Sequence, residues 1–528
     1  MSDKNIAFTA PHWAASQAGI EILKEGGTAT EAMVAAAAVI SVVYPHMNSI
    51  GGDGFWLIDN LSEKTPIAID ACGRSASNID VYNAMSQISS RGGLSALAQA
   101  GTVRGWQQAL TCDKHAKLPL TRILEPAITW ARSGFTVSES LQAGCEKLAG
   151  EKDTNQAFKS LYLNSNNQGK PLQAGDKYVN AKLANTFEYL AMHGLDAFYH
   201  GELADSFAQD LAAAGSPLTR EDLANTQADI VTPLILPING ATCYNLPAPT
   251  QGVHSLQILG VLDKLKQQHT ITTEADWMHL IVEATKQSFN QRNTLWGDKT
   301  VVVSNKYDNA LSDDTLKLLA SGVDIKQAKS WPFNAEPGDT VWMGAKDKYG
   351  QLVSFIQSVY WEFGSGVAMS EGGFAWNNRG LSFSLQDTDI NVLAANKKPA
   401  HTLNPAMAKF DDGRRLSYGT MGGEGQPQTQ AVIFSGYAWR NKSIEQAIAD
   451  PRWLLGRTWG EDSSNLKVEK NLADQVCDEL NNRGHDWHCV DDNNEMMGHA
   501  GAILETSTKL DAATDPRSDG RAIVETSI

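Results

Sequence analysis

Three short stretches carry residue types that could perform acyl transfer together: Gly338-Asp339-Thr340, Gln357-Ser358-Val359-Tyr360 and Met421-Gly422-Gly423-Glu424-Gly425. A threonine hydroxyl is a weak nucleophile and needs a base to take its proton. If the chain were cut before Thr340, the new α-amine, with an unperturbed pKa of about 7.7, could be that base. The same hydroxyl could first attack the Asp339 carbonyl, forming an ester that water opens. One nucleophile would then serve self-cleavage and turnover. Ser358 supplies a second hydroxyl, and Gly422 and Gly423 supply backbone N–H donors for an oxyanion, each worth roughly 3–4 kcal/mol in well-studied enzymes. Taken singly, Thr340 reads as a strand threonine after a turn and Gly422-Gly423 as a turn. In combination they predict a self-cleaving amide hydrolase.

The elements around these residues follow from pattern. Thr340 to Ala345 and Leu352 to Ser358 read as a hairpin joined by Asp347-Lys348-Tyr349-Gly350. Asp308 to Pro337, polar and ending in Trp331-Pro332-Phe333-Asn334-Ala335-Glu336-Pro337, reads as a mobile tail leading to the cleavage point. Near the N-terminus, Ile6 to Ala10 is strand-like. A helix then stops at Gly26-Gly27, and a second from Thr30 to Val43 is apolar on all faces and so buried. Ser49-Ile50-Gly51-Gly52-Asp53-Gly54 turns the chain into the strand Phe55 to Ile58, its glycines permitting unusual backbone angles or the close approach of another element. Ile67 to Asp70 is a further strand, and Arg74 just beyond it could hold a carboxylate in its planar fork, although a lone Arg there also suits a surface ion pair. Leu94 to Ala224 is mostly helical, with loops such as Asn164 to Gly169. Strand character returns from Ile230 to Cys243, with helices over His254 to Lys266 and Glu274 to Asn290.

Composition narrows the partners. The 528 residues carry 44 basic and 60 acidic side chains, a net charge of −16 that disfavours nucleic acid. The longest apolar run, Ala32 to Tyr44, is too short to span a bilayer, so no membrane partner is expected. No secretory signal is visible at the N-terminus, and six cysteines without paired spacing suit a reducing compartment; a cytoplasmic location is expected. His485, His488, Cys489 and Cys477 lack a regular metal-ligand spacing, so neither metal nor cofactor is expected.

From end to end the chain resembles the γ-glutamyltransferase family of N-terminal-nucleophile hydrolases. The resemblance is carried by Glu25-Gly26-Gly27, Pro45-His46, Ser49 to Gly54, Gly101-Thr102-Val103-Arg104-Gly105 and the Gly338-Asp339-Thr340 junction. It continues through Phe363-Gly364-Ser365-Gly366, Asn377-Asn378-Arg379-Gly380, Gly422-Gly423 and Asp515-Pro516-Arg517-Ser518-Asp519-Gly520. It implies a mixed α/β fold, the four-layer αββα sandwich, formed as one structural domain. It also implies self-cleavage between Asp339 and Thr340 into a large subunit, 1–339, and a small subunit, 340–528, that stay associated. In the roles it implies, Thr340 is the nucleophile, Ser358 a supporting hydroxyl, Gly422 and Gly423 the oxyanion hole, and Arg74 a carboxylate holder.

Departures from the glutathione-cleaving members bear on the substrate. Val341 and Trp342 follow the nucleophile where those members have Thr and His. Tyr360, Arg379 and Ser382 stand where they use Asn, Gln and Asp for the glutamyl amine, and His401 and Thr402 replace paired serines. A site for an ammonium group has been lost and a second basic group, Arg379, gained, which argues against a zwitterionic γ-glutamyl substrate. Trp342, Tyr360 and Trp361 could wall a small pocket. The expectation is a small amide bearing a carboxylate, bound by Arg74, Tyr360, Arg379, His401 and Thr402. Gly422 to Gln430 is similar to a bacterial branch that includes oxamate amidohydrolase, which implies oxamate cleaved to oxalate and ammonia. The alternatives are γ-glutamyl transfer or glutathione hydrolysis, and removal of a β-lactam side chain.

Overall fold

The computed structural model describes residues 5–163, 170–331, 338–456 and 463–526. The expected loop at Asn164 to Gly169 and the last residues of the expected tail, 332–337, lie outside the described residues. Two antiparallel sheets face each other. With strands numbered in chain order, the first runs β13 (Arg521–Thr526), β1 (Asn5–Ala10), β7 (Asp339–Lys346), β8 (Leu352–Tyr360), β2 (Asp53–Asp59), β3 (Ile67–Ala71), β4 (Asp229–Val231). The second runs β12 (Leu510–Thr514), β11 (Ala500–Glu505), β10 (Arg415–Thr420), β9 (Ala406–Phe410), β6 (Ala241–Asn245), β5 (Leu234–Ile238). The expected hairpin at the cleavage point is β7 and β8, central in the first sheet, its turn held by the Asp347 carboxylate accepting from Tyr349 N–H and Gln351 N–H at 2.8 and 2.9 Å.

Helices cover both outer faces. α1 (Trp13–Lys24) and α2 (Ala29–Val43) pack on the first sheet in one core with Val341, Met343, Val353 and Phe355. All of α2 is buried, as its Ala, Val and Ile on every face predict, and a Thr28–Glu31 capping box starts it. On the second sheet, α3 (Gly252–Gln268), α4 (Glu274–Phe289) and α6 (Gln426–Trp439) form a separate core with Cys243, Ala408 and Leu416. A third core, including Phe55, Tyr244, Trp342, Met407 and Ile503, lies between the sheets. The result is the expected αββα sandwich.

Two sequence expectations are corrected. Asp308 to Pro337 is not a tail over its described part: α5 (Asp313–Ser321), capped by Ser312, buries Leu316 and Ala320. These lie four apart on one face of a nine-residue helix, too little apolar surface to stand out from its charged neighbours. Leu316 packs where a Cβ on Gly260 of α3 would approach it to 2.7 Å, and Trp331 lies 5.8 Å from the Phe289 ring.

The second correction concerns Trp342. Strand alternation sends Val341 and Met343 towards the helices and Trp342 towards the second sheet. Its indole fills the space over Gly344, Gly419 and Gly501, and Nε1–H donates to Ser354 Oγ at 2.9 Å. It is a core side chain rather than a pocket wall. Trp342→Ala is expected to cost about 3–5 kcal/mol of stability, seen as a lower midpoint of chemical denaturation.

Candidate active site

The same alternation that buries Trp342 puts Thr340 on the inter-sheet face, at the head of β7. Thr340 is 1% exposed and its Oγ1 has no hydrogen-bond partner among the described residues. The pairing of β7 with β8 explains what faces it. Val341 is opposite Gln357, but Asp339 is opposite Tyr360, so β8 carries one extra residue there. A bulge of this kind bends a strand and re-aims its side chains. Here the Ser358 hydroxyl donates to the carbonyl oxygen of Asp339, the carbonyl that cleavage would attack, while Tyr360 N–H donates to Ser358 Oγ at 2.7 Å. Tyr360 takes φ 84°, a left-handed angle unusual for an aromatic residue. The glycines of Ser49 to Gly54 serve close approach: a Cβ on Gly52 would sit 2.0 Å from the Ser358 carbonyl oxygen.

Gly422 and Gly423 leave β10 with φ 119° and 50°, angles that favour glycine, and lead through a turn of 3-10 helix into α6. Gly423 lies against Gly338, two residues before Thr340: a Cβ on Gly338 would be 3.2 Å from Gly423 Cα. The segment leading into the nucleophile candidate and the glycine pair are thus brought together. Two side chains hold this turn. Gln251 Nε2 donates to the Gly423 carbonyl at 2.8 Å and to the Thr402 carbonyl at 2.7 Å, and Glu424 is ion-paired with buried Arg292.

Around Tyr360 the structure assembles most of the expected binding residues. Arg379 is 1% exposed, with its guanidinium carbon 3.8 Å from the Tyr360 ring centre. Both of its terminal nitrogens reach the Thr402 hydroxyl, at 3.3 Å, and it forms no ion pair among the described residues. His401 lies behind. Its Nδ1 accepts from Leu403 N–H at 3.2 Å, so the ring proton is on Nε2 and donates to Asp53 Oδ2 at 3.0 Å. Burial holds His401 well below its ordinary range, and so neutral. Burial also raises Asp53 to about 7, against the Gly73 N–H, the nearby Arg379 charge and the Gly101 N–H.

Arg74 goes elsewhere. Its guanidinium donates to the Asn396 carbonyl at 3.2 Å and stands 4.0 Å from Asp229, half-exposed on a cavity of about 580 Å³ that Asp70, Asp298 and Lys398 also line. No contact among the described residues joins it to Thr340 or Tyr360. Gln251 and Asp53 escaped sequence reasoning. Asp53 sat visibly within the glycine motif, whereas nothing local distinguishes Gln251.

Candidate metal ligands are already engaged. Asp53, Cys72 and His401 cluster, but both His401 nitrogens are hydrogen-bonded and the Arg379 charge is near. His279, Glu283 and His485 also cluster, with Lys286 on Glu283 at 2.7 Å and His279 Nδ1 on His485 Nε2 at 2.8 Å. His488 instead bonds Asn465, and Cys489 is exposed, so the irregular His/Cys set does not converge.

The gamma-glutamyltranspeptidase family model matches residues 15–525. The chain belongs to that family. Among its relatives, an oxamate amidohydrolase proenzyme of Klebsiella pneumoniae is 44% identical, with 97% of each chain covered. A glutathione hydrolase-like YwrD proenzyme of Bacillus subtilis is 35% identical, again over 97% of each. Among solved structures, a cephalosporin acylase from Bacillus halodurans superimposes with a TM-score of 0.88 at 26% identity, covering 98% of this chain and 96% of that one. This member of the gamma-glutamyltranspeptidase family is therefore an autoprocessed hydrolase acting on amide C–N bonds. Among the described residues no helix is long and apolar enough to cross a membrane.

Proposed function

We propose that the chain cuts itself between Asp339 and Thr340 and then hydrolyses oxamate to oxalate and ammonia, without a cofactor. Cleavage leaves residues 1–339 and 340–528 as two associated subunits. In the first reaction Thr340 Oγ adds to the Asp339 carbonyl carbon, the C–N bond breaks as its nitrogen is protonated, and water opens the ester. The Ser358 hydroxyl supports the charge gathering on the carbonyl oxygen. In the second, Thr340 Oγ attacks the substrate amide and its freed α-amine carries the proton to the leaving ammonia. The Gly422 and Gly423 N–H groups hold the oxyanion, and water hydrolyses the acyl ester.

The observation that carries the substrate class is the Arg379 fork, buried on Tyr360 and, among the described residues, sharing only the Thr402 hydroxyl. A buried guanidinium without a carboxylate is costly, and a substrate carboxylate supplies the missing partner. Arg74, half-exposed, is the alternative holder. Oxamate carries a carboxylate and an amide but no ammonium, which suits a site where Tyr360, Arg379 and Ser382 offer no anion. The relative named as an oxamate amidohydrolase proenzyme supports the same reading.

Ammonia release from the processed protein, with oxamate and glutamine in parallel and glutathione followed by glutamate release, tests this. Turnover of oxamate alone is the expected result. Turnover of the γ-glutamyl compounds would contradict it, and silence on all three in a cleaved protein would favour a bulkier acyl substrate, for which the acylase neighbour is the precedent.

A further inference from the structure

Glu362 has no part in the chemistry above, yet it touches the residue that precedes the cut. It lies two positions past β8, and its carboxyl group is within hydrogen-bond reach of the Asp339 carboxyl group. The two are 4% and 3% exposed, and among the described residues Glu362 Oε2 and Asp339 Oδ2 have no donor from any other group. Two carboxylate oxygens cannot bond each other without a proton between them, and like charges this close in a dry site do not both ionise.

The charged surroundings leave the pair short of cations. Lys147, on the helix Glu139–Leu148, meets Glu362 Oε1 at 2.6 Å. Arg91 spends its NH1 on the backbone carbonyls of Glu362 and Gly364 rather than on either carboxylate. Glu495, on the 3-10 turn Glu495–Met497, adds negative field, and the buried Tyr44 phenol stays neutral. Burial first, and then the facing Glu362 charge, push Asp339 well above the carboxylate range; burial raises Glu362 too, against Lys147.

Resting on the cut before Thr340 proposed above, we infer that Glu362 is a positioning residue for self-cleavage: it shares a proton with Asp339 and so seats the Asp339 carbonyl on the Ser358 hydroxyl. Loss of that proton sets two carboxylates against each other beside the scissile bond and drives Asp339 off its seat. Self-cleavage then slows as pH rises beyond the titration of the pair.

The test uses full-length chain made by cell-free synthesis and shifted, still uncut, to buffers between about pH 6 and about pH 10. Cleavage is followed by intact mass. The wild-type rate is expected to fall about tenfold per pH unit once the shared proton is lost. Glu362→Gln, whose amide donates to Asp339 without titrating, is expected to cut with no alkaline fall. Asp339→Asn should do the same and decides the matter if Glu362→Gln does not fold. A wild-type profile without the fall, or a folded Glu362→Gln that keeps it, overturns the role of Glu362. Fragments beginning elsewhere than Thr340 would instead overturn the cleavage reading beneath it.

Discussion

Thr340→Ala should leave a single 528-residue chain with no amidase activity. The effect is large because one hydroxyl is asked to do two things. Its Oγ1 lies buried and, among the described residues, unpartnered, next to the Asp339 carbonyl that already accepts from Ser358, an arrangement that suits the proposed self-cleavage. Without the hydroxyl no ester forms, and without the cut no α-amine is freed to act as base. Removal of the nucleophile in a well-studied acyl-transfer enzyme costs on the order of 10⁶ in turnover, and here the base is lost as well. Intact mass and ammonia release measure the two consequences separately. A cut and active Thr340→Ala protein would falsify the mechanism. Thr340→Ser keeps a hydroxyl and should still cut.

The second large effect is expected at Arg379. Arg379→Leu should lower kcat/KM for oxamate by roughly two to three orders of magnitude, from about 3–4 kcal/mol lost when one partner of a buried charge pair is removed. Arg379→Lys should recover little, because the planar group stacked 3.8 Å over Tyr360 presents a fork that an ammonium cannot reproduce. Arg74→Ala is the contrasting variant. Its guanidinium is half-exposed and already leans on Asn396 and Asp229, so a change of less than about threefold is expected. Steady-state rates on protein verified by mass as cleaved keep a maturation defect apart from a binding defect. A large rise in KM for Arg74→Ala with Arg379→Leu unaffected would return the carboxylate to Arg74.

Sequence alone determined much of this protein, because several of its constraints are local. Composition places α2 as a buried helix, since Ala, Val and Ile on all faces have nowhere else to go. Alternation on either side of a four-residue turn places the β7–β8 hairpin, and the family resemblance carried by ordered motifs from Glu25 to Gly520 implies the αββα sandwich. Tertiary structure decided the rest, because proximity across hundreds of residues leaves no mark on local spacing. The bulge that turns Ser358 onto the Asp339 carbonyl arises from a register offset between two strands. Trp342 reads as a pocket aromatic beside the nucleophile, yet it points between the sheets because Gly344, Gly419 and Gly501 leave space for it there. Arg74 just past a strand and Arg379 as a second basic group both read as carboxylate holders, and only packing separates a half-exposed side chain from one sealed under Tyr360. Gln251 joins Gly423 to Thr402 across gaps of 172 and 151 residues. A side-chain amide in a loop has no pattern that foretells such a bridge; the folded backbone brings the two carbonyls within its reach.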